Sequence, residues 1–481
     1  MLTSEDDAYE AVGRLAAGAA LDQALDVTDP DAWIHLDCGV RELAWQRPEL
    51  FHSNASASGR RLMGHRTTSL PAVEWPGTPK DGELALALCH RDGRIREAAL
   101  AHAEGRPELL PLVVIRSADW AEPLRECARA LLAATPRHQL AAHTALILRI
   151  GRRPRGSHAQ ELLTEALRAG PAAPIEALLS SEDRAIARLA HRIAAERRLL
   201  PPAQLARIAA RHGDVVVQSL CAEAAVAALG EGADDGFTEI VAPLLASRSP
   251  QVRSAGVTAL RRAGRHADAE PYLTDRSALV RACARWILRQ DGTDPAPLYR
   301  ALCADPTTRP AAAVGLGECG VREDAELIRT LLAHPAPAVR ACAVAGLRAL
   351  DVVRVDDVRP LLEDPSPAVV RQATAALLPW AARLPHELLH ALMAEDRPRH
   401  QHVAAIRLTR AAGAHAPHPA EPARPAGPDE GPRDGGAAVT APAIPTSTAA
   451  DAGTGERNSP FLEAVRRVLR WQRGTRRSIG R

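Results

Sequence analysis

The chain has 481 residues, of which 46% are hydrophobic and 3% aromatic, and its charged residues leave a formal net charge of +2. This charge is too small to indicate a protein that coats nucleic acid along its whole surface. Alternating runs of Val, Ile, Thr and Tyr are absent from the sequence, so the composition favours an all-α protein over one that contains a sheet. Lys80 is the only lysine, and this abundance of arginine suits the codon usage of a GC-rich genome better than phosphate recognition.

Residues 1–52 are predicted to form an N-terminal helical cap for the repeats that follow. Ser4 can cap a first helix, and Trp33, Leu36 and Val40 are spaced along one helical face. The start is acidic and is followed by an amphipathic stretch, which is unlike a signal peptide. No apolar run approaches the roughly 18 residues that a membrane span needs. The sequence therefore predicts a cytoplasmic protein without a transmembrane segment.

Residues 53–81 are rich in Ser, Gly, Pro and Thr and show little periodicity. A loop of this length within a compact region is more often functional or disordered than passive. The sequence predicts a loop or insertion here.

One short pattern recurs within residues 82–412: an apolar residue, then Arg, then small residues two and three positions after the Arg. Successive arginines are 29, 28 and 31 residues apart, or 59 and 128, which correspond to about two and about four such steps. A fixed period in this range is typical of stacked-repeat proteins. The apolar and small positions around each Arg fall on one face of a helix. The copies are centred on Arg96, Arg125, Arg253, Arg281, Arg340 and Arg371.

Each copy is predicted to be a hairpin of two helices. A helix-start signal, Asp or Ser followed by Pro, precedes several copies, at Ser249-Pro250, Asp305-Pro306 and Asp364-Pro365. A second apolar stripe follows the repeat helix, as at 327–332 and 358–362. The small residues of each copy allow neighbouring helices to approach closely.

The sequence pattern Asp-Pro-x-x-x-Val-Arg-x-x-Ala, followed by a Leu-rich second helix, resembles the HEAT repeat in the short form found in phycobilisome-lyase-type HEAT proteins. The units can be laid out over 249–412 and less cleanly over 82–248, where 186–190 and 217–221 keep the register without the arginine. The resemblance implies a right-handed α-α superhelix, a solenoid of about ten helical hairpins. It also implies an inter-repeat ladder of Asp and Arg, which would include Arg253, Arg281, Arg340 and Arg371.

The C-terminal part of the chain differs in composition. Residues 413–458 are rich in Ala, Pro and Gly and are predicted to be a disordered linker. Residues 459–481 are predicted to be a basic amphipathic helix of about 12 residues, which is marginal alone and folds mainly on contact. From Phe461 onward, seven arginines stand against one Glu, a local charge of +6. The predicted contact residues are Phe461, Val465, Arg466, Arg467, Leu469, Arg470, Trp471 and Arg473.

Such a helix can bind an acidic protein groove, an anionic membrane surface or nucleic acid. The alternatives are that it docks on its own solenoid or does nothing specific.

Residues 386–390 match H-E-x-x-H, the zinc metalloprotease pattern, in which two histidines share a helix face and Glu387 would act as the base. We interpret this match as structural or incidental, because it occupies the second-helix position of a repeat. Met393 and Asp396 also stand where a metzincin carries Gly and its third His. Paired acids such as Asp356-Asp357 are placed at helix N-termini, where they complement the helix dipole. The sequence thus predicts no catalytic, metal or cofactor site.

Cysteines and tryptophans are interpreted as packing residues. None of the eight cysteines forms a C-x-x-C pair, which favours free thiols in a reducing compartment. Three of them take the small-residue position two after the Arg, where buried Cys acts as a small hydrophobe: Cys127, Cys283 and Cys342. Core positions are likewise predicted for Trp120, Trp286 and Trp380. The alternative is that these tryptophans line the concave face of the solenoid.

These observations predict a non-enzymatic scaffold that binds another protein through the solenoid surface, with the basic C-terminal helix as a second contact. The partner's identity is left open. The alternatives are a nucleic-acid-binding protein similar to the HEAT-like alkylpurine DNA glycosylases, or a HEAT-type lyase or hydroxylase-like enzyme. The sequence contains no site residues that match either alternative.

Overall fold

The computed structural model describes residues 4–46, 78–229, 236–307 and 309–414. Within these ranges the chain forms α-helices and short 3₁₀ segments and no β-strand, which confirms the predicted all-α class. None of the described helices is both long and apolar enough to cross a membrane. Most of the predicted loop 53–81, nearly all of the predicted linker 413–458 and the whole predicted helix 459–481 lie outside the described residues.

The chain divides into two compact units. The first comprises Met1–Pro201 and Asp214–Cys221, and the second comprises Pro202–Gly213 and Ala222–Arg481. The helices up to residue 196 belong to the first unit: α1 (Ser4–Ala16), α2 (Leu21–Ala24), α3 (Pro30–Gln46), α4 (Asp81–Cys89), α5 (Gly93–Leu100), α6 (Leu110–Arg116), α7 (Glu122–Ala134), α8 (Arg137–Ala142), α9 (Thr144–Gly151), α10 (Ser157–Ala169), α11 (Ala173–Leu179) and α12 (Arg184–Glu196).

Two helices, α13 (Pro202–Arg211) and α14 (Val215–Ala227), follow where the division between the units falls. The remaining helices belong to the second unit: α15 (Phe237–Leu245), α16 (Pro250–Arg262), α17 (Ala278–Gln290), α18 (Pro295–Ala304), α19 (Ala312–Cys319), α20 (Asp324–Thr330), α21 (Pro337–Ala349), α22 (Val355–Val358), α23 (Pro367–Leu377), α24 (His386–Ala391) and α25 (Arg399–Ala414).

Within each unit, helices that are close along the chain stack on one another. In the second unit α15 packs on α16, α16 on α17, α19 on α21, α21 on α23, and α23 on α25. In the first unit α4 packs on α5, α6 on α7, and α11 on α12, while α3 of the N-terminal cap contacts α4 and α6. Contacts between neighbours along the chain are the defining property of a helical solenoid.

The apolar positions of the repeat face the interior of each stack. The residue before the Arg is fully buried in the best copies, as in Val252, Val280 and Val339. In the N-terminal cap, the face predicted from Trp33, Leu36 and Val40 is buried as well. Burial of this stripe supplies the main driving force for stacking the helices.

Glycines permit close contact between α19 and α21 in the second unit. A Cβ atom on Gly317 of α19 would overlap the carbonyl oxygen of Gly346 on α21, and a Cβ on Gly346 would overlap the carbonyl oxygen of Ala313. A Cβ on Gly315 would overlap the ring of Tyr299. Helices α19 and α21 therefore meet at a distance that only glycine allows at these positions.

Of the three predicted helix starts, one is confirmed, one is wrong and one is displaced by two residues. The Ser249-Pro250 signal is confirmed, because α16 begins at that proline. The start at Asp305-Pro306 is wrong: α19 begins only after Pro310, and a residue that precedes proline is disfavoured in the α conformation. At Asp364 the helix α23 begins slightly later than predicted, since this carboxylate accepts a hydrogen bond from the Ser366 amide in the turn before the helix (2.8 Å).

Candidate functional site

The recurring arginines link successive repeats. Arg253 donates from Nε and Nη2 to the two carboxylate oxygens of Asp275, at 2.8 Å each. Its Nη1 donates to the carbonyl oxygens of Ser247 and Arg248, at 2.9 and 3.0 Å. The Asp275 carboxylate also accepts from the backbone amide of Ser277 (2.7 Å). One buried guanidinium thus ties the turn before its own helix to the start of the next repeat helix.

The same arrangement occurs elsewhere in both units. Arg340 binds the Asp364 carboxylate from Nε and Nη2, at 2.7 and 2.9 Å. In the first unit, Nη2 of the fully buried Arg96 lies 3.0 Å from Asp119 Oδ1. Each of these arginines also donates Nη1 to the carbonyls five and six residues before it. We call these Arg–Asp links rungs.

One rung uses an arginine outside the expected register. Arg188 donates to both oxygens of Asp214, with Nη2 2.8 Å from Oδ2, although its repeat lacks Arg at the usual position. Asp214 accepts from the amides of Val216 and Val217 as well. The hydrogen bonds from Arg188 lower the pKa of Asp214 to about 2. The sequence signal for this rung is an Asp immediately before a repeat helix, 26 residues after an arginine.

Arg281 takes part in a larger buried network in the second unit. It donates Nη1 to the Asp275 carbonyl oxygen (2.7 Å) and binds Glu318 with Nε and Nη2. Arg285, which is 1% exposed, places Nη1 2.6 Å from Glu318 Oε2 and also donates to the Tyr299 hydroxyl. Burial raises the pKa of Tyr299 to about 12. A single carboxylate therefore balances two guanidinium groups in the interior.

A second buried network joins the N-terminal cap to the repeats of the first unit. Asp37 on α3 forms an ion pair with Arg116 on α6, and Arg116 also lies 3.1 Å from Asp119, the partner of Arg96. All four side chains are buried. Because the cap residue Asp37 is bound to a fully buried arginine, helices α1–α3 are part of the folded unit.

Three of the six predicted arginines form no Arg–Asp rung, and the first of them, Arg281, binds Glu318 instead. Arg125 donates to the Asp119 carbonyl oxygen (3.0 Å), but its ion pair is with the adjacent Glu126. Arg371 is exposed and has no hydrogen bond or ion pair to any other described residue. In the turn before α25, Arg397 instead pairs with Glu363 (2.9 Å).

The H-E-x-x-H match lies on α24, whose six residues form less than two turns. Both His386 and His390 are exposed, while Leu389 between them is buried. Nowhere in the described part of the chain do three or more His, Cys, Asp or Glu side chains come together in a way that could hold a metal ion.

The core prediction is wrong for Trp120, which is 68% exposed because it lies in the turn between α6 and α7 rather than on a helix. Trp286 and Trp380 are half-buried, and each has a guanidinium over its ring, from Arg261 at 4.9 Å and from Arg383 at 5.0 Å. These two tryptophans serve as partly exposed stacking surfaces and are not core residues.

All eight cysteines are free thiols in the structure. Cys283 is buried as predicted, Cys342 is half-buried, and Cys127 is exposed, so the prediction of a packing role is wrong for Cys127. Burial raises the pKa of Cys221 to about 12 and that of Cys283 to about 11, which leaves little thiolate at neutral pH.

The first unit contains a cleft of about 520 Å³ between the N-terminal cap and the first repeats. Its walls come from the end of α1, from α2 and α3, and from the starts of α4 and α6. Val27 on its edge is 37% exposed, and the Val27 carbonyl oxygen accepts a hydrogen bond from Trp33 Nε1 (3.0 Å). The apolar lining residues are Leu15, Leu21, Val27, Trp33, Pro107 and Pro111. We call this feature the N-terminal cleft.

The charged residues of the N-terminal cleft are mostly acidic. Four carboxylates line it, together with the single ammonium group of Lys80. Arg106 neutralises one of the four by binding Asp81 (2.6 Å), so the cleft keeps an excess of two negative charges. Burial lowers the pKa of His143, which also lines the cleft, so this ring is neutral at pH 7. The four acids are Asp22, Asp81, Glu83 and Glu108.

No signal in the sequence predicts this cleft. Its walls combine residues from 15–33, 80–83 and 107–111 with His143, and no local pattern marks them as neighbours. Only the docking of the cap on the repeats brings them together. An apolar concave surface with a few polar groups at its edge is the usual form of a binding site.

No protein-family model matches this chain, and no curated protein matches it. Among solved structures, the chain is similar to the crystal structure of an engineered protein, at 16% sequence identity. That match covers 84% of this chain and 99% of the engineered one, with a TM-score of 0.21. A similarity at this score supports no argument about fold or function.

Proposed function

We propose that this protein is a non-enzymatic, cytoplasmic, HEAT-like scaffold that binds another protein through its solenoid surface. The N-terminal cleft is the primary contact. The observation that carries this proposal is the combination of apolar walls and excess negative charge in that cleft. Such a surface suits a partner segment that inserts apolar side chains and carries Arg or Lys beside them.

Side chains that could take part in catalysis are bound in structural contacts instead, which supports a binding role over a catalytic one. The buried arginines are held by carboxylates and backbone carbonyls, and Glu318 is committed to Arg281 and Arg285. The most buried thiols are kept protonated by their surroundings. These groups stabilise the stack of helices.

The experiment is quantitative affinity purification with the full chain from its native cells. The variant Val27→Glu places a charge on the apolar edge of the N-terminal cleft. Val321→Glu makes the same change at an exposed valine of the second unit, 46% exposed compared with 37% for Val27. We expect that a partner protein binds the wild type and the Val321 variant to a similar extent. The Val27 variant should retain at least tenfold less of that partner. A partner lost equally in both variants, or no specific partner, contradicts the proposal.

The nucleic-acid alternative receives less support. The recurring arginines that could hold phosphates, such as Arg253 and Arg340, are already paired with carboxylates. A binder of nucleic acid would show affinity for DNA that falls steeply as the salt concentration rises. Measurement of DNA binding between 50 and 200 mM salt therefore separates the two functions.

A further inference from the structure

We propose that the N-terminal cleft is occupied by the chain's own segment 459–481 when no partner is bound. This inference rests on the proposed function, because it requires that the cleft accepts a peptide. It adds a regulatory contact: the C-terminal segment occupies the partner's site and must leave before a partner binds.

The apolar chemistry of the segment matches the cleft. Phe461, Val465 and Leu469 follow one another at intervals of four residues, so they share one face if the segment is helical. The cleft offers apolar walls on both sides, with Leu21 and Val27 from the cap and Pro107 from the first repeats. Its volume of about 520 Å³ suits a few apolar side chains rather than a whole protein domain.

The charges of the two surfaces are complementary. Residues 461–481 carry seven arginines and one glutamate, whereas the cleft keeps an excess of negative charge. Arg466 and Arg470 follow directly after two of the apolar residues, so insertion of those residues brings guanidinium groups to the edge of the cleft. There, Asp22 and Glu108 are exposed and form no ion pair with any other described residue.

A long stretch of chain connects the described residues to the segment. The 44 residues from 415 to 458 reach at most about 145–160 Å when fully extended. A tether of this length makes binding within one molecule favoured over binding between molecules at ordinary protein concentrations. A helix of about 12 residues is only marginally stable in isolation, so part of the binding free energy is spent on ordering it. The contact is therefore weak enough for a partner to displace.

The test uses the purified full chain with the photo-crosslinking amino acid p-benzoylphenylalanine in place of Phe461. After irradiation, mass spectrometry locates the cross-link. We expect attachment to peptides that contain Leu21, Val27 or Pro107 of the same molecule, with a yield that does not change on dilution.

Charge reversal supplies the matched control. Asp22→Lys with Glu108→Lys changes two acids of the cleft and is expected to lower the yield at least fivefold. Glu176→Lys with Glu182→Lys makes the same change in charge at exposed acids of the first unit outside the cleft, and is expected to leave the yield within twofold.

Cross-links elsewhere, cross-links between two molecules, no cross-link, or equal loss in both double variants would overturn the inference. The purified chain contains no partner, so these results do not touch the proposed function. Conversely, failure of the Val27 variant to lose a partner contradicts the proposed function without affecting the cross-link.

Discussion

Glu318 neutralises buried positive charge in the second unit. Two guanidinium groups converge on it, and that of Arg285 is 1% exposed. Removal of one member of a buried ion pair leaves the remaining charge without water or a counter-ion, which costs about 3–5 kcal/mol. We therefore expect Glu318→Ala to lower the free energy of unfolding of the second unit by about that amount, measured by urea denaturation.

The control for this prediction is an exposed ion pair of the same unit. Arg265 and Asp268 are 48% and 46% exposed, so their pair contributes about 0–1 kcal/mol. Asp268→Ala should therefore change the unfolding free energy little. Equal effects of Glu318→Ala and Asp268→Ala would show that the buried network does not contribute as its geometry indicates.

Thiol reactivity tests the environments of single cysteines. Cys38 and Cys127 are exposed, whereas Cys221 is buried with its pKa raised to about 12. Because the thiolate is the reactive form, the two exposed thiols should react first with an aromatic disulfide reagent at pH 8. Cys127→Ser should remove one fast equivalent, and Cys221→Ser should remove none. Rapid reaction of Cys221 in the folded chain would contradict this assignment.

At the scale of the helices, the contact between α19 and α21 depends on the absence of side chains. Gly317→Ala places a methyl group where the carbonyl oxygen of Gly346 lies, so the two helices must separate. Overpacking of this kind costs about 1–3 kcal/mol, despite the better helix propensity of alanine. We expect the urea midpoint of the second unit to fall accordingly.

Gly13 on α1 is the matched control, because a Cβ atom there meets nothing within 4 Å. Gly13→Ala should raise the stability of the first unit by about 0.5–1 kcal/mol, since alanine is the better helix former. A destabilisation by Gly13→Ala, or no loss with Gly317→Ala, would contradict the described packing.

The sequence predicted those elements whose signals are local. The all-α class, the helix start at Pro250 and the buried apolar stripe all depend on residues within one or two turns, and the structure confirms them. The delayed start of α19 was missed because Pro310 lies outside the start signal itself. Position in the repeat did not predict the exposure of Cys127, because burial at that position depends on how the neighbouring helix packs.

Contacts between distant segments were harder to predict. The rung of Arg188 was missed because its arginine lies one position after the usual register, and only the three-dimensional approach of Asp214 reveals it. The N-terminal cleft was missed for the same reason. Its walls belong to segments that no periodic pattern relates, so the candidate site could be found only in the folded structure.

At the scale of the whole molecule, rungs occur within both units and make stability depend on ionised carboxylates. Arg188 lowers the pKa of Asp214 to about 2. Burial alone would raise the pKa of Asp275 and Asp364, but hydrogen bonds from their arginines outweigh it and hold both below the usual 3.8. A carboxyl group whose pKa is lowered by folding stabilises the folded state above its unfolded pKa, and this contribution is lost as the pH falls.

We therefore expect the stability of the chain to be constant from about pH 7 to 5 and to fall between about pH 4 and 2, measured by urea midpoints across this range. Asp214→Asn should lower the stability of the first unit by about 1–2 kcal/mol at pH 6, because Arg188 is partly exposed and water screens the pair. At pH 2 the difference between Asp214→Asn and the wild type should largely vanish, since the wild-type carboxyl is then substantially protonated. Asp22→Asn, which removes an exposed acid outside the rungs, should leave the pH dependence unchanged. A wild-type stability that is flat down to pH 2, or an Asp214 variant with the full acid dependence of the wild type, would contradict a stabilising role for the rungs.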